Sequence, residues 1–205
     1  SSANTVGASA YGATISGGGA QFNGSPRANS VTASFGVVGG GLQNTAGSFA
    51  SIGGGSGNLA TATGAVVGGG ISNEATARYS VVSGGAINQA AAESATVVGG
   101  SSNRAAAPAS IVTGGLFGSA TFYGQQAHAA GAFNALPGSA QASDYVLRAL
   151  TSDDIATELF LDGSLESIAF AAGRVAAFDV QLVGQDERTN VALTGYYSFR
   201  CLYGR

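Results

Sequence analysis

The chain has 205 residues, only 9 % of them charged, with 34 glycines and a formal net charge of −3. So weak and slightly acidic a charge provides no basic footprint for nucleic acid. The single cysteine, Cys201, excludes an internal disulfide. No run of 18 apolar residues offers a membrane-spanning helix, and no signal peptide is visible. All eight positive charges are arginines and methionine is absent, even at position 1. A processed product or a segment of a longer protein is expected, with any membrane attachment outside it.

Residues 1–14 are small and polar apart from Tyr11, and read as a frayed rung or the tail of an upstream segment. Ile15 to Asn23 resembles a degenerate copy of the repeat that is clear from residue 35 onward. Asn29 stands 15 residues before Asn44, so the register survives, and residues 24–29 read as a loop inserted between rungs. Insertions in solenoids project from one side and often bind, which makes Arg27 a candidate contact residue.

From residue 35 to 120 one phrase recurs: a β-branched residue or pair, two glycines, a short gap, an asparagine and an alanine. It reads Val37-Val38, Gly40-Gly41, Asn44, Ala46, and returns around Asn58, Asn73, Asn88 and Asn103. A last copy, Ile111 to Ala120, has Gly118 in the asparagine slot. The asparagines are separated by steps of 14, 15, 15 and 15 residues. A fixed short period marks a stacked, quasi-one-dimensional fold. Fifteen residues are too few for a helical hairpin and suit two short strands with two corners. Glycine serves the corners, and asparagine tolerates the left-handed region. Seven or so rungs at roughly 4.8 Å each predict a parallel β-solenoid or β-roll about 35 Å long.

The interior must be narrow. Eight before each asparagine stand Gly36, Ala50, Ala65, Ser80, Ala95 and Ser110; six before stand Val38, Ile52, Val67, Val82, Val97 and Val112; four before stands a glycine. These columns are expected to share one strand face that admits only small or β-branched groups. Seven before come Val37, Ser51, Val66, Val81, Thr96 and Ile111, also mostly apolar. A strand apolar on both faces is covered on both, which predicts partner chains, with a homotrimer the preferred geometry. The column Asn44, Asn58, Asn73, Asn88 and Asn103 is expected to be a structural ladder of stacked amides bonded to one another.

After Ala120 the phrase decays through Phe122-Tyr123-Gly124 and Ala132-Phe133-Asn134-Ala135, read as terminal rungs, and Leu136-Pro137-Gly138 breaks it. Residues 1–137 are therefore assigned to the solenoid and 138–205 to a small antiparallel β knob. The latter holds nine of the eleven acidic residues and five of the eight arginines. Its alternating runs are Tyr145–Leu150, Glu158–Leu161, Val175–Val183 and Tyr196–Leu202, with turn signals at Asp162-Gly163 and Asp186-Glu187-Arg188. The fold class is all-β.

The repeat typified by Tyr79-Ser80-Val81-Val82-Ser83-Gly84-Gly85-Ala86-Ile87-Asn88-Gln89-Ala90 resembles the head repeats of trimeric autotransporter adhesins, and the same style occurs in trimeric phage tail fibres. The double glycine and 15-residue step depart from the usual adhesin head, and neither a membrane-anchoring barrel nor a coiled-coil stalk is visible. Residues Arg148-Ala149-Leu150-Thr151, Leu159-Phe160-Leu161-Asp162-Gly163 and Phe178-Asp179-Val180-Gln181-Leu182-Val183 resemble a β-rich module near the ends of phage tail and fibre proteins. There the module commonly runs on past the point where this chain stops. Together the resemblances imply a phage-type fibre on the virion tail, or alternatively a bacterial surface adhesin.

Candidate chemistry is sparse. His128, the only histidine, has no nucleophile or metal ligand among its sequence neighbours and reads as a capping or interfacial residue. Three copies on a trimer axis would be needed to hold an ion. Asp153, Asp154 and Glu158 cluster on a turn, where two carboxylates seldom reach glycosidase separation, although Asp162, Glu166 and Asp179 can join them in space. The Gly-Gly runs lack the Lys-Ser/Thr of a phosphate loop. The aromatic last strand is read first as core or subunit packing; as the alternative, Tyr196, Arg200 and Tyr203 are candidate receptor contacts, since aromatic anchors with arginine are typical of hot spots. The expected function is a non-enzymatic trimeric fibre segment attaching to a cell-surface receptor, a glycan before a protein. No cofactor, metal, nucleic acid or membrane insertion is expected, and the rest of the fibre is a partner. The alternatives are a tailspike-like polysaccharide depolymerase and a purely structural spacer.

Overall fold

A computed structural model describes residues 4–133, 136–150 and 157–169, together with the paired strands Ala176–Leu182 and Tyr197–Tyr203. The described residues are all-β and contain no helix long and apolar enough to cross a membrane. Two compact units are present, Ser1–Ile168 and Ala169–Arg205.

The first unit is a parallel β-solenoid of about seven turns. Each rung contributes one short strand to each of two sheets, two residues long in all but the last two strands of the second parallel stack. The first sheet stacks β1 (Thr5–Val6), β5 (Ser30–Val31), β7 (Thr45–Ala46), β9 (Leu59–Ala60), β11 (Glu74–Ala75), β13 (Gln89–Ala90), β15 (Arg104–Ala105) and β17 (Ser119–Ala120). The second stacks β2 (Thr14–Ile15), β6 (Val37–Val38), β8 (Ser51–Ile52), β10 (Val66–Val67), β12 (Val81–Val82), β14 (Thr96–Val97), β16 (Ile111–Leu116) and β18 (Gln126–Ala130). Single parallel bridges link Leu42, Ser56, Ile71, Ala86, Ser101 and Leu116 as a third column. Backbone bonds run from each rung to the next, as in Val81 N–H to Ala95 O (2.9 Å) and Gln89 N–H to Asn103 O (2.8 Å).

The core is as thin as the spacing predicts. It is a column of Val38, Ile52, Val67, Val82, Val97 and Val112 facing a column of Ala46, Ala60, Ala75, Ala90, Ala105 and Ala120, all at 0 % exposure. Ala50, Ala65, Ser80, Ala95 and Ser110 complete it. The glycine four before each asparagine does not join this face. A Cβ built at Gly40, Gly54, Gly84, Gly99 or Gly114 meets nothing within 4 Å, because the chain has already turned into the corner.

Asparagine is not the left-handed residue of the corner. The residue before it is: Gln43, Ser72, Ile87, Ser102 and Phe117 have φ between 53° and 59°. The asparagine side chain instead ties rungs together. Asn73 Oδ1 accepts from the Asn88 backbone N–H (3.0 Å), while its Nδ2 donates to the carbonyls of Gly69 and Gly85 (both 2.8 Å). The same set recurs at Asn58, Asn88 and Asn103, and Asn103 Oδ1 closes the series on Gly118 N–H at 2.7 Å. The predicted amide-to-amide stack survives at one step, Asn44 Nδ2 to Asn29 Oδ1 (3.1 Å). Elsewhere a backbone N–H is the better-placed donor. The ladder also begins earlier than the phrase did: Asn4 Oδ1 accepts from Asn29 N–H at 3.0 Å, so residues 4–19 form a rung.

Only glycine fits three before each asparagine. Gly85 has φ +92°, and a Cβ there would overlap the Gly100 carbonyl and approach Asn88 Nδ2.

The insertion between the first rungs is a β-hairpin, not the loop assigned to residues 24–29. β3 (Ala20–Phe22) pairs antiparallel with β4 (Ser25–Arg27) across Asn23 (φ 48°) and Gly24 (φ 78°). An Asn-Gly pair with both φ positive is the preferred two-residue hairpin turn. Asn29 lies past the hairpin, buried in the ladder.

Leu136-Pro137-Gly138 does not end the sheet. β19 (Gln141–Asp144) pairs antiparallel with β18, and residues through Ile168 stay in the first unit. Of the four alternating runs beyond, Tyr145–Leu150 and Glu158–Leu161 meet at one antiparallel bridge, Arg148 to Phe160. The other two form the second unit's hairpin, β20 (Ala176–Leu182) against β21 (Tyr197–Tyr203).

Removing one ladder amide orphans a buried backbone N–H and takes a donor from two carbonyls. Asn73→Ala is expected to lose about 2–4 kcal/mol in guanidinium unfolding, at roughly 1–3 kcal/mol per unsatisfied group, against about 0.5 kcal/mol or less for exposed Thr61→Ala. Equal midpoints for the two variants would remove the ladder from the account of stability.

Candidate functional site

Three regions carry the side chains that sequence reasoning singled out. The first is the hairpin. Arg27 ends β4, and its Nη1 donates to Gln43 Oε1 at 2.6 Å on an exposed surface. That bond fastens the hairpin base to the left-handed corner residue of the next rung.

The second is the C-terminal cap of the solenoid. Gln125 occupies the slot filled by Gly36, Ala50, Ala65, Ser80, Ala95 and Ser110 in earlier rungs, and it is 1 % exposed. Its Oε1 accepts from the N–H groups of Thr121 (2.8 Å) and Phe122 (3.2 Å), and its Nε2 donates to Ser143 Oγ (2.8 Å). Gln141 grips Ser119 through both backbone groups, at 2.9 Å each. Glu166 Oε1 accepts from Tyr123 N–H at 2.9 Å. These groups satisfy donors that a further rung would otherwise take. The two glutamines were missed in the sequence, although a long amide breaking a column of small residues was a legible signal.

Beside this cap the chain turns on Asp162. One carboxylate oxygen accepts from the N–H groups of Ser164, Leu165 and Glu166 (2.9, 2.9 and 3.0 Å), the other from Ser164 Oγ (2.9 Å). Hydrogen bonds from the Glu166, Leu165 and Ser164 backbone hold its pKa far below the ordinary carboxylate value. Arg148 Nη2 donates to the Asp162 carbonyl at 3.0 Å, and its guanidinium stands 5.9 Å from the Tyr123 ring centre. An open cavity of about 310 Å³ is lined by Arg148, Ala149, Leu150, Asp162 and Gly163. Phe122 and Tyr145 meet edge to face at 5.9 Å, and burial raises the Tyr145 pKa against an opposing hydrogen bond from Ser143.

This geometry bears on acid–base chemistry. Asp162 is an acceptor locked to four donors, and one Glu166 oxygen is committed to Tyr123. Glu158 is exposed, and Asp153 and Asp154 lie outside the described residues. Among the described residues no three His, Cys, Asp or Glu side chains converge on a common point. His128 is exposed on β18, its Nδ1 3.4 Å from Thr113 Oγ1 one rung away.

The third region is the hairpin of the second unit. In its register Arg200 sits opposite Asp179 and Tyr203 opposite Ala176. Tyr196 lies outside the described residues. The candidate contacts therefore fall on separate elements: Arg27 on the first hairpin, Arg200 and Tyr203 on β21.

No protein-family model, curated protein or solved structure matches the chain.

The Asp162 turn has a pH signature. A depressed carboxyl pKa stabilises the turn above the ordinary aspartate value and loses that contribution as pH falls toward the folded value. The amide shifts of Ser164, Leu165 and Glu166 are expected to titrate together by NMR, with a midpoint well below 3.8, the ordinary value. In Asp162→Asn the transition disappears. A midpoint at the ordinary value would mean that the turn does not hold the charged form.

Proposed function

We propose that this chain is a non-enzymatic fibre segment that works as a homotrimer and attaches to a cell-surface receptor, with a glycan as the favoured ligand and the virion tail as its setting. The carrying observation is the outward strand position, apolar in four of six rungs. Val66, Val81 and Ile111 stay partly exposed and Val37 is 36 % exposed in the isolated chain. A column of β-branched side chains left in water is a standing cost that sister chains would relieve by covering it.

The mechanism is multivalent. A stack tied by backbone bonds and a buried amide at every rung is stiff, so little conformational freedom is lost on engagement. Three equivalent weak sites on such a support gain avidity without any one being tight. Arg27 and the β21 residues Arg200 and Tyr203 are the contacts favoured for the receptor.

Light scattering behind a sizing column is expected to give the mass of three chains. Immobilised chain is expected to retain host envelope polysaccharide or whole cells without releasing reducing ends. A monomeric mass would remove the trimer from the reading, and steady release of reducing ends would replace attachment with depolymerisation.

A further inference from the structure

Two choices in the corners after β12 and β14 serve nothing within the chain. The first is glycine four before each asparagine. At Gly85 and its equivalents, three before, the reason for glycine is internal: φ is left-handed and the next rung leaves no room for a Cβ. At Gly84 and Gly99 neither reason applies. Their φ lies outside the left-handed region, and a built Cβ meets no atom within 4 Å. Gly40, Gly54 and Gly114 show the same open space, but there φ of +155°, +158° and +141° is itself a reason for glycine. Glycine in an element is costlier than alanine, so its use at Gly84 and Gly99 calls for a cause outside the chain.

The second choice is Ile87. It takes φ 58°, a left-handed region unfavourable to an L-residue and least suited to a β-branched one. Its side chain is nevertheless 63 % exposed. The strain gives the single chain no burial in return.

Charge marks the same side. Between residues 30 and 120 the charged residues are Glu74, Arg78, Glu93 and Arg104. Glu74 and Arg104 stand on the first sheet, linked through Gln89 at 2.9 and 2.8 Å, and Arg78 and Glu93 lie in the opposite corner, 3.9 Å apart. Residues 37–43, 51–57, 66–72, 81–87, 96–102 and 111–117 carry none.

We infer that a second copy of this chain packs, axis beside axis, on the uncharged side formed by the second sheet and the glycine corner after it. The glycine column is where the neighbouring backbone comes closest, and Val81 and Ile87 are covered by the contact. Glycine is the residue for such an approach. The occupant is a copy because the space recurs once per rung, at roughly 4.8 Å. A partner that uses every rung must repeat at that pitch, and a sister solenoid does so in register. The inference rests on the homotrimer reading and adds to it the face and the reason for the glycines.

The test uses the full chain. Gly84→Leu and Gly99→Leu are expected to keep the wild-type β circular dichroism while raising the dissociation constant at least about tenfold, the size of a hot-spot loss. Val81→Arg on the adjoining strand is expected to do the same, and it decides the matter if a glycine variant fails to fold. Gln89→Arg on the first sheet is expected to leave the assembly intact. If the wild type is oligomeric and folded Gly84→Leu and Val81→Arg stay so, this face is wrong while the oligomer stands. A wild type that is monomeric overturns both, including one that uses this face to hold a linear polysaccharide of similar pitch.

Discussion

The structure depends on one interaction, the side chain of a buried asparagine tying its own corner to the rung that follows. Each rung offers strands of two residues, far too short to hold a sheet by themselves. The corner between them exposes backbone groups that no strand pairing satisfies. The amide oxygen takes the N–H of the asparagine after it, and the amide nitrogen takes a carbonyl in its own corner and one in the next rung. Buried at 0–1 % exposure, these bonds carry their full weight, since an unmet partner has no water to turn to. The chain can then dispense with a large core. Valine and alanine columns fill what is left, and nothing larger than Ile52 is buried in the repeats.

That dependence explains where the sequence is strict and where it is loose. The glycine three before the asparagine is strict because the amide nitrogen and the next glycine carbonyl occupy the space a Cβ needs. The residue just before the asparagine is loose in chemistry, being Gln43, Ser72, Ile87, Ser102 or Phe117, although all share one left-handed geometry. The ladder holds the corner whatever side chain is placed there, and local strain of about 1–2 kcal/mol per residue is offset by the bonds on either side. The aromatic slot nine before behaves alike. Phe35 and Phe49 stack at 4.9 Å in left-handed positions, and the Tyr79 ring packs over Gly64 one rung back.

Periodicity made the solenoid legible, because a column of identical side chains at fixed offsets has few other physical meanings. The buried Val38 column, the buried asparagines and the parallel stack were all legible from it. What it could not convey was direction within a rung. Counting by twos placed Gly40 on the same face as Val38, but alternation stops where the strand stops, two residues in. The assignment of amides to one another failed for a similar reason. A ladder of identical residues is visible in sequence, whereas the donor nearest to each oxygen is a backbone group that sequence does not distinguish. At the two ends the period itself was broken. Asn4 had only part of the phrase around it, and the Asn23-Gly24 turn signal lay in a stretch read as a repeat followed by a loop. Gln125 and Gln141 replace a rung by side chains, which no repeat count can register.

The C-terminal end of the stack is built differently from the rungs before it. At its C-terminal end the stack is closed: β19 runs antiparallel to β18, and Gln125, Gln141 and Glu166 consume the remaining donors. An antiparallel strand breaks the pitch that a parallel rung would need in order to continue, so the parallel stacking of the second sheet stops at β18.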